Sequence, residues 1–569
     1  MRFRTVLAGI CALFPVVLFP GFSASAKTPV TARHGMVVAQ EPIAADVGLA
    51  VLKHGGNAVD AAVAVGFALA VTHPAAGNIG GGGFLLVRLA NGKSYFVDFR
   101  EAAPGKASRN MYIGPDGKPT KDSLFGWRAS GVPGSVKGFA EAHEKWGTKK
   151  WAELLAPAVN LARNGFTVDK TLAGEIAGST ANLENDPESK RIFLRDGKPY
   201  KAGETFRQPE LADTLGRIAA NGARDFYEGE TARKLAAAMA AHGGLITEAD
   251  LKNYRAIDRK PLEGGYHGYE IITAPPPSAG GLGILQMLGI LNGTGFESDG
   301  PNSVKAVHYT TEAMRRFYAD RSEYLGDPTY YDVPVQQLLS PRYLAERRDS
   351  IDPARATPAA GIQPGRILSA AAHVNQRESS ETTHFNIVDA QGNAVAVTYT
   401  LNNSFGSGVT VPGLGFLLND EMDDFAAKPG SPNMFGLIGA DANAIQPGKR
   451  PLSSMNPTIV TRGGKLFMAV GAPGGSRITT GVLQVILDAI DFHMNPQDAV
   501  DLPRFHDQWK PDILYLQKGF NPDVEAALVK MGYNIQPIND VARVEAIIAR
   551  NGLLEGGTES RHNGKVVGY

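Results

Sequence analysis

Near Ser379 the chain changes character within a few residues, without the Gly/Ser-rich stretch that usually separates two domains. From 148 to about 377 the apolar spacing is mostly helical, as in the amphipathic pieces 211–219 and 230–241, with a turn-rich break at Ala274-Pro275-Pro276-Pro277-Ser278. Beyond the change, 383–389 and 394–400 are β-rich runs joined by a Gln391-Gly392-Asn393 turn, and 458–461 and 466–470 form a second hairpin around Gly463-Gly464. The junction near 381 is therefore not an ordinary domain boundary. Upstream, small-residue helices are predicted at 43–54 and 58–72, packed closely against a sheet. Residues 84–89 and 94–99 alternate about Asn91-Gly92, a strong hairpin signal that brings Arg100 to a strand end. The second C-terminal hairpin runs through Gly471-Ala472-Pro473-Gly474-Gly475-Ser476 into a helix of apolar 3.6 period at 478–492. The helical middle reads as scaffold.

Composition narrows the chemistry. Lys plus Arg and Asp plus Glu both number 57, so bulk charge favours neither the nucleic-acid backbone nor an anionic membrane. The single cysteine, Cys11, lies in an N-terminal segment with a positive start, an apolar run at 6–19 and a small-x-small site at Ala24-Ser25-Ala26. This is the pattern of a secretory signal, 1–26, cut after Ala26; a retained anchor helix is the competing reading. Ile10 before Cys11 argues against lipoprotein attachment. The mature chain is then an exported protein, periplasmic or secreted, with no thiol, which excludes cysteine nucleophiles, thiol redox chemistry and cysteine-ligated zinc.

Two glycine clusters invite nucleotide readings and fail them. Gly80 to Gly83 precedes a strand instead of following one, and Gly474-Gly475-Ser476-Arg477 lacks the Lys of a phosphate-binding loop. An isolated diglycine is most often a strand-to-helix turn. Its functional alternative is a set of backbone N–H groups at a helix start, aimed at an oxyanion, and that needs a nucleophile nearby. No G-x-S-x-G or H-E-x-x-H motif is present. In Glu381-Thr382-Thr383-His384-Phe385, Thr382 and His384 face one way on a strand and Thr383 the other. Thr favours strands anyway. The alternative is an N-terminal Thr, created by cutting between Glu381 and Thr382, whose α-amine is the base for its own hydroxyl. A free α-amine has a reference pKa of about 7.7–8.0, suited to that role. Thr398, Thr400 and Asn402 fall on one face of the paired strand, and Ser453-Ser454 stands just before the next hairpin, so polar groups converge at one sheet end.

Taken together, "TTHFNIVDAQGNAVAVTYTLNNSFGSG", "EMDDF", "RPLSSMNPTIV", "GAPGGSRI" and the upstream "DFREAAP" resemble γ-glutamyltranspeptidase, of the N-terminal nucleophile hydrolases. The resemblance spans about 34–569. It implies an α+β fold, a four-layer αββα sandwich made of two subunits from one self-cleaving precursor, 27–381 and 382–569, that remain together as a heterodimer. It implies further that Thr382 attacks γ-glutamyl amides such as glutathione, forming an ester that passes to water or to an amino acid or dipeptide acceptor. Thr400 supports the nucleophile, and Gly474 and Gly475 form the oxyanion hole. Arg100, Ser453 and Ser454 match the residues that grip the substrate α-carboxylate; Asn402, Glu421 and Asp424 match its α-amino site. The segment 428–440 resembles a lid, with Phe435 where some relatives carry Tyr, and position 421 is Glu where some carry Gln. No cofactor or metal is implied. His384 reads as a packed strand histidine and Asp423 as a solvated neighbour of Asp424.

Two alternatives remain open. A glutaryl-cephalosporin acylase or a capsule-type transpeptidase shares the Thr and the diglycine, although the set Arg100, Glu421 and Asp424 favours a free α-amino acid head group. A non-catalytic binding protein for γ-glutamyl peptides would stay a single chain on a denaturing gel.

Overall fold

The structure, a computed structural model, describes residues 28–367, 382–428, 433, 437 and 439–569. The expected leader with Cys11, the expected cleavage-site residue Glu381 and the expected lid residue Phe435 lie outside the described residues.

Strands in chain order are β1 (Val30–Ala32), β2 (Met36–Ala39), β3 (Gly82–Arg88), β4 (Ser94–Phe99), β5 (Ile257–Arg259), β6 (Leu262–Tyr266) and β7 (Tyr269–Thr273). They continue with β8 (Thr383–Val388), β9 (Ala394–Thr400), β10 (Thr458–Arg462), β11 (Lys465–Gly471), β12 (Glu545–Arg550), β13 (Leu553–Thr558) and β14 (Lys565–Gly568). One seven-stranded sheet has the order β14-β2-β8-β9-β3-β4-β5, the other β1-β13-β12-β11-β10-β7-β6. Both the 30–100 region and the region after 382 supply strands to both sheets, so the junction lies inside one architecture and not between two domains.

The two sheets face each other through β9 against β11 and β8 against β11 and β12. Helices α1 (Pro42–Lys53), α2 (Ala58–Thr72) and α3 (Ser135–Trp146) cover the first sheet. Helices α4 (Ala279–Leu291), α5 (Val304–Tyr324) and α6 (Arg477–Ile490) lie on the other side, with α4 and α6 against the second sheet and α5 packed on α4. The result is the expected αββα order. Every residue of α2 is buried, which explains its run of Ala and Val, and Asn57 with Asp60 closes its start as a capping box.

Side-chain alternation along β8 and β9 places Thr382. Phe385, Ile387, Val395, Val397 and Tyr399 share one apolar cluster with α2, and the Tyr399 hydroxyl donates to the Gly66 carbonyl of that helix at 2.9 Å. The opposite face looks at the second sheet, where Asn386 Nδ2 donates to the Glu545 carbonyl at 2.9 Å. His384 is on this inner face and fully buried; a Cβ on Gly471 would meet its ring at 2.2 Å, so the sheets close here because position 471 is glycine. Register pairs Thr383 with Tyr399 and His384 with Thr398, which carries Thr382 to a place opposite Thr400.

The sequence reading missed β5 to β7 inside the helical middle. Each is three to five residues long, too short to establish period two among helical neighbours, and β5 and β6 are sheet edges with partly exposed faces. Among the described residues no helix is long and apolar enough to cross a membrane.

Candidate active site

A cleft of about 310 Å³ opens where β8 and β9 begin and end, against the loop that leads into α6. Thr382, Thr400, Asn402, Arg100, Glu421, Asp424, Ser453, Ser454 and Gly475 all line it. Thr382 is 4% exposed. Its Oγ1 lies 3.3 Å from Thr400 Oγ1, which accepts the Asn402 backbone N–H at 2.8 Å. The Thr382 hydroxyl thus sits beside a second hydroxyl whose own position is set by the strand end. Asn402 adopts φ of 82°, a left-handed conformation that Asn tolerates better than most residues. Asp420 holds this bend by accepting from Asn403 N at 2.9 Å, and its backbone carbonyl accepts from Asn402 Nδ2 at 3.1 Å.

Arg100 arrives from the end of β4 and is 1% exposed. Its Nε and Nη2 donate to the carbonyls of Pro451 and Leu452 at 3.3 and 3.2 Å, which ties it to the Ser453-Ser454 loop. It also forms ion pairs with Glu421 and Asp424, and Glu101 lies 3.6 Å away. The sequence reading assigned Arg100 to the α-carboxylate and the acidic pair to the neighbouring α-amino group; in the structure they are in direct contact. Burial opposes the Arg100 charge, and the three carboxyls more than offset it, holding the guanidinium above its ordinary pKa. Burial pushes Glu101 up to about 8 and raises Glu421 and Asp424 as well, against the pull of Arg100.

The serine loop is held from the region read as scaffold. Ser453 N donates to the Pro277 carbonyl at 2.9 Å, Ala279 N to the Ser453 carbonyl at 2.7 Å, and Ser278 Oγ to the Met455 carbonyl at 2.6 Å. The middle of the chain also supplies Arg321, on α5, which is 5% exposed and lines the cleft. Nothing in its local sequence distinguishes it from the other buried charges of that helix; only its place at the cleft does. Asp423 is not the solvated neighbour expected. It is 6% exposed and accepts from Ser123 Oγ at 2.7 Å, because the tight turn Glu421–Asp424 directs it inward. His384 fits its expected role, since burial lowers its pKa to about 3 and keeps it neutral, with a 2.8 Å hydrogen bond to Thr398.

Gly474 and Gly475 have φ of 138° and 58°, conformations that favour glycine, and this lets the loop turn sharply into α6. They part company in the fold: Gly475 lines the Thr382 cleft, whereas Gly474 lines a neighbouring cavity with Arg477, Asp540 and Arg543. One further group of described residues could hold a metal ion, namely Asp540, Glu559 and His562. Arg504 at 2.8 Å and Arg561 already pair with Glu559, and His562 pairs with Asp540 at 2.9 Å, so the charge there is balanced by side chains.

Facing antiparallel sheets between helical layers, with a buried threonine at the head of a central strand, define an N-terminal nucleophile hydrolase. Residues 44–569 match the family model for gamma-glutamyltranspeptidase. The chain belongs to that family, and it is an enzyme. It is 47% identical over 537 residues to the glutathione hydrolase proenzyme of Escherichia coli (strain K12), over 94% of this chain and 91% of that protein. The structure of cephalosporin acylase from Bacillus halodurans is similar with a TM-score of 0.85 at 30% identity, over 98% of this chain and 99% of that one. Gamma-glutamyltranspeptidase from Helicobacter pylori is 43% identical with a TM-score of 0.56, over 57% of this chain and 93% of that one.

Proposed function

We propose that this protein is exported, cuts itself between Glu381 and Thr382 into subunits 27–381 and 382–569, and then hydrolyses and transfers the γ-glutamyl group of glutathione and related amides. The observation that carries this reading is the placement of a zwitterion-sized charge set, Arg100 with Glu421 and Asp424, in the same cleft as the Thr382–Thr400 hydroxyl pair. A glutamyl head group brings its own balanced charges. Its carboxylate replaces the acids at Arg100 and meets Ser453 and Ser454, while its ammonium takes Glu421, Asp424 and Asn402, so net charge in the cleft is conserved.

Thr382 Oγ1 then attacks the γ-carbonyl carbon while its own α-amine takes the hydroxyl proton. Thr400 steadies the attacking oxygen, and the glycine turn stabilises the oxyanion. Collapse breaks the C–N bond, the leaving amine takes the proton, and an ester remains on Thr382. Water or the free amine of an amino acid or dipeptide acceptor attacks that ester and restores the hydroxyl. None of these steps requires a cofactor. The name "proenzyme" carried by the Escherichia coli relative supports processing.

The similarity to a cephalosporin acylase gives the competing reading a definite form. An acylase for glutaryl groups has no ammonium to bind, whereas two carboxyls, the buried Glu421 and the partly buried Asp424, line the cleft here. N-terminal sequencing of the purified protein, combined with assays on γ-glutamyl and glutaryl anilides, tests the proposal. It fails if the chain stays intact or if both anilides are turned over equally.

A further inference from the structure

The glycine run at 80–83 touches both halves of the site. A Cβ on Gly80 would meet the Leu417 carbonyl oxygen at 2.0 Å, and one on Gly81 would meet the Thr400 carbonyl oxygen at 2.0 Å. Backbone therefore rests directly on backbone here, with no side chain between to yield. A buried asparagine stands on each side of this glycine pair. Asn78 donates from Nδ2 to the carbonyls of Ala76 at 2.9 Å and Thr400 at 2.8 Å, and its Oδ1 accepts from Gly81 N at 2.8 Å and Ser135 Oγ at 2.7 Å. Asn419 donates from Nδ2 to the carbonyls of Gly80 at 2.8 Å and Gly131 at 2.9 Å, and its Oδ1 accepts from Gly131 N at 2.9 Å and Glu421 N at 3.1 Å. Each amide uses both donors and both acceptor lone pairs, which fixes its orientation.

Resting on the function proposed above, we infer that Asn78, Gly80, Gly81 and Asn419 form a strut that sets the spacing between the Thr382–Thr400 hydroxyl pair and the acidic turn, and so the length of donor side chain that the enzyme reads. None of the four lines the cleft, so they act as positioning residues. One end of the strut is the carbonyl of Thr400, whose hydroxyl lies 3.3 Å from Thr382 Oγ1. The other is the backbone N–H of Glu421, at the start of the turn that carries both acids of the head-group site. A glutamyl donor is held by the charges on its α-carbon, so its γ-carbonyl reaches Thr382 only if these two ends stand a fixed distance apart. A β-aspartyl donor carries the same charges on a side chain one methylene shorter, and its carbonyl stops short of the hydroxyl. Misplacing a reacting atom by about 1 Å costs roughly a hundredfold in rate. A rigid strut thus converts one methylene into selectivity.

The test measures kcat and KM of the mature enzyme on γ-glutamyl and β-aspartyl anilides. The wild type is expected to prefer the γ-glutamyl compound by roughly a hundredfold in kcat/KM. Asn78→Asp and Asn419→Asp each keep the accepting oxygen and lose the amide donors, which frees the Thr400 carbonyl in one and the Gly80 carbonyl in the other. Each should narrow the preference at least about tenfold, chiefly through a lower kcat on the γ-glutamyl compound. Ser135→Ala removes a bond to the same Asn78 oxygen without touching either end of the strut, and should leave the preference unchanged. Equal losses on both anilides in the Asp variants would mark a merely structural role and overturn the strut, and so would an equal narrowing in Ser135→Ala. The two ends are tested separately, so a variant that does not fold or process leaves the other to decide. Should neither fold, the wild-type preference decides, because equal use of the two anilides leaves the strut nothing to set. Absence of any γ-glutamyl turnover by the wild type would instead strike the proposed function itself.

Discussion

Replacing Arg100 with Ala gives the most informative perturbation of the head-group site. The side chain is 1% exposed, pairs with Glu421 and Asp424, and donates to two carbonyls of the serine loop. Its loss leaves the buried Glu101 and Glu421 and the partly buried Asp424 without their cation, and a bound substrate carboxylate without its guanidinium. Breaking one partner from a buried pair costs about 3–5 kcal/mol. At about 1.4 kcal/mol per tenfold, kcat/KM for a γ-glutamyl anilide should fall by roughly two to four orders of magnitude. Three anilides separate charge recognition from general damage. The γ-glutamyl and glutaryl compounds carry the carboxylate and should both suffer, whereas 4-aminobutyryl anilide lacks it and should change by only a few-fold from its poor wild-type rate. A uniform loss across all three, or a loss of less than tenfold on the first, would refute the assignment of Arg100 to the carboxylate.

Thr382→Ala should remain one chain on a denaturing gel and be inactive, while Thr382→Ser should still process because it keeps the hydroxyl; two fragments from the Ala variant would disprove self-cleavage. Thr400→Val removes the hydroxyl 3.3 Å from the nucleophile while keeping the β-branched shape, and should lower kcat by roughly tenfold to a hundredfold with little change in KM, the size of one charge-stabilising contact. Buried His384 and His506 are both held down to about 3 by burial. The unfolded chain therefore takes up protons below the ordinary histidine value that the native state refuses, so stability should fall as pH drops from about 6.5 towards 3, by at most about 1.4 kcal/mol per pH unit for each group. Denaturant titration of wild type and His384→Gln across that window checks this, and identical slopes would contradict it.

Several parts of the site are legible in one dimension because they depend on neighbours in sequence. Period two in 383–400, with a turn at Gln391-Gly392-Asn393, sets Thr382 opposite Thr400 without any knowledge of the rest of the molecule. The diglycine before α6 announces a sharp turn, and the small residues of α2 announce a helix buried on every side. The family motifs then identify Arg100 and the acidic turn. What the sequence left unstated comes from the packing of the two sheets and their helices. That packing brings Arg100 into direct ion pairs more than 300 positions along the chain, turns Asp423 inward to Ser123, and clamps the serine loop against Pro277 and Ser278. It also adds Arg321 to the cleft and divides Gly474 from Gly475 between two cavities. Periodicity reports only which face of an element is buried. Which distant charges share that burial, and therefore how each is held and what it can bind, is decided when the layers close and water leaves the space between them.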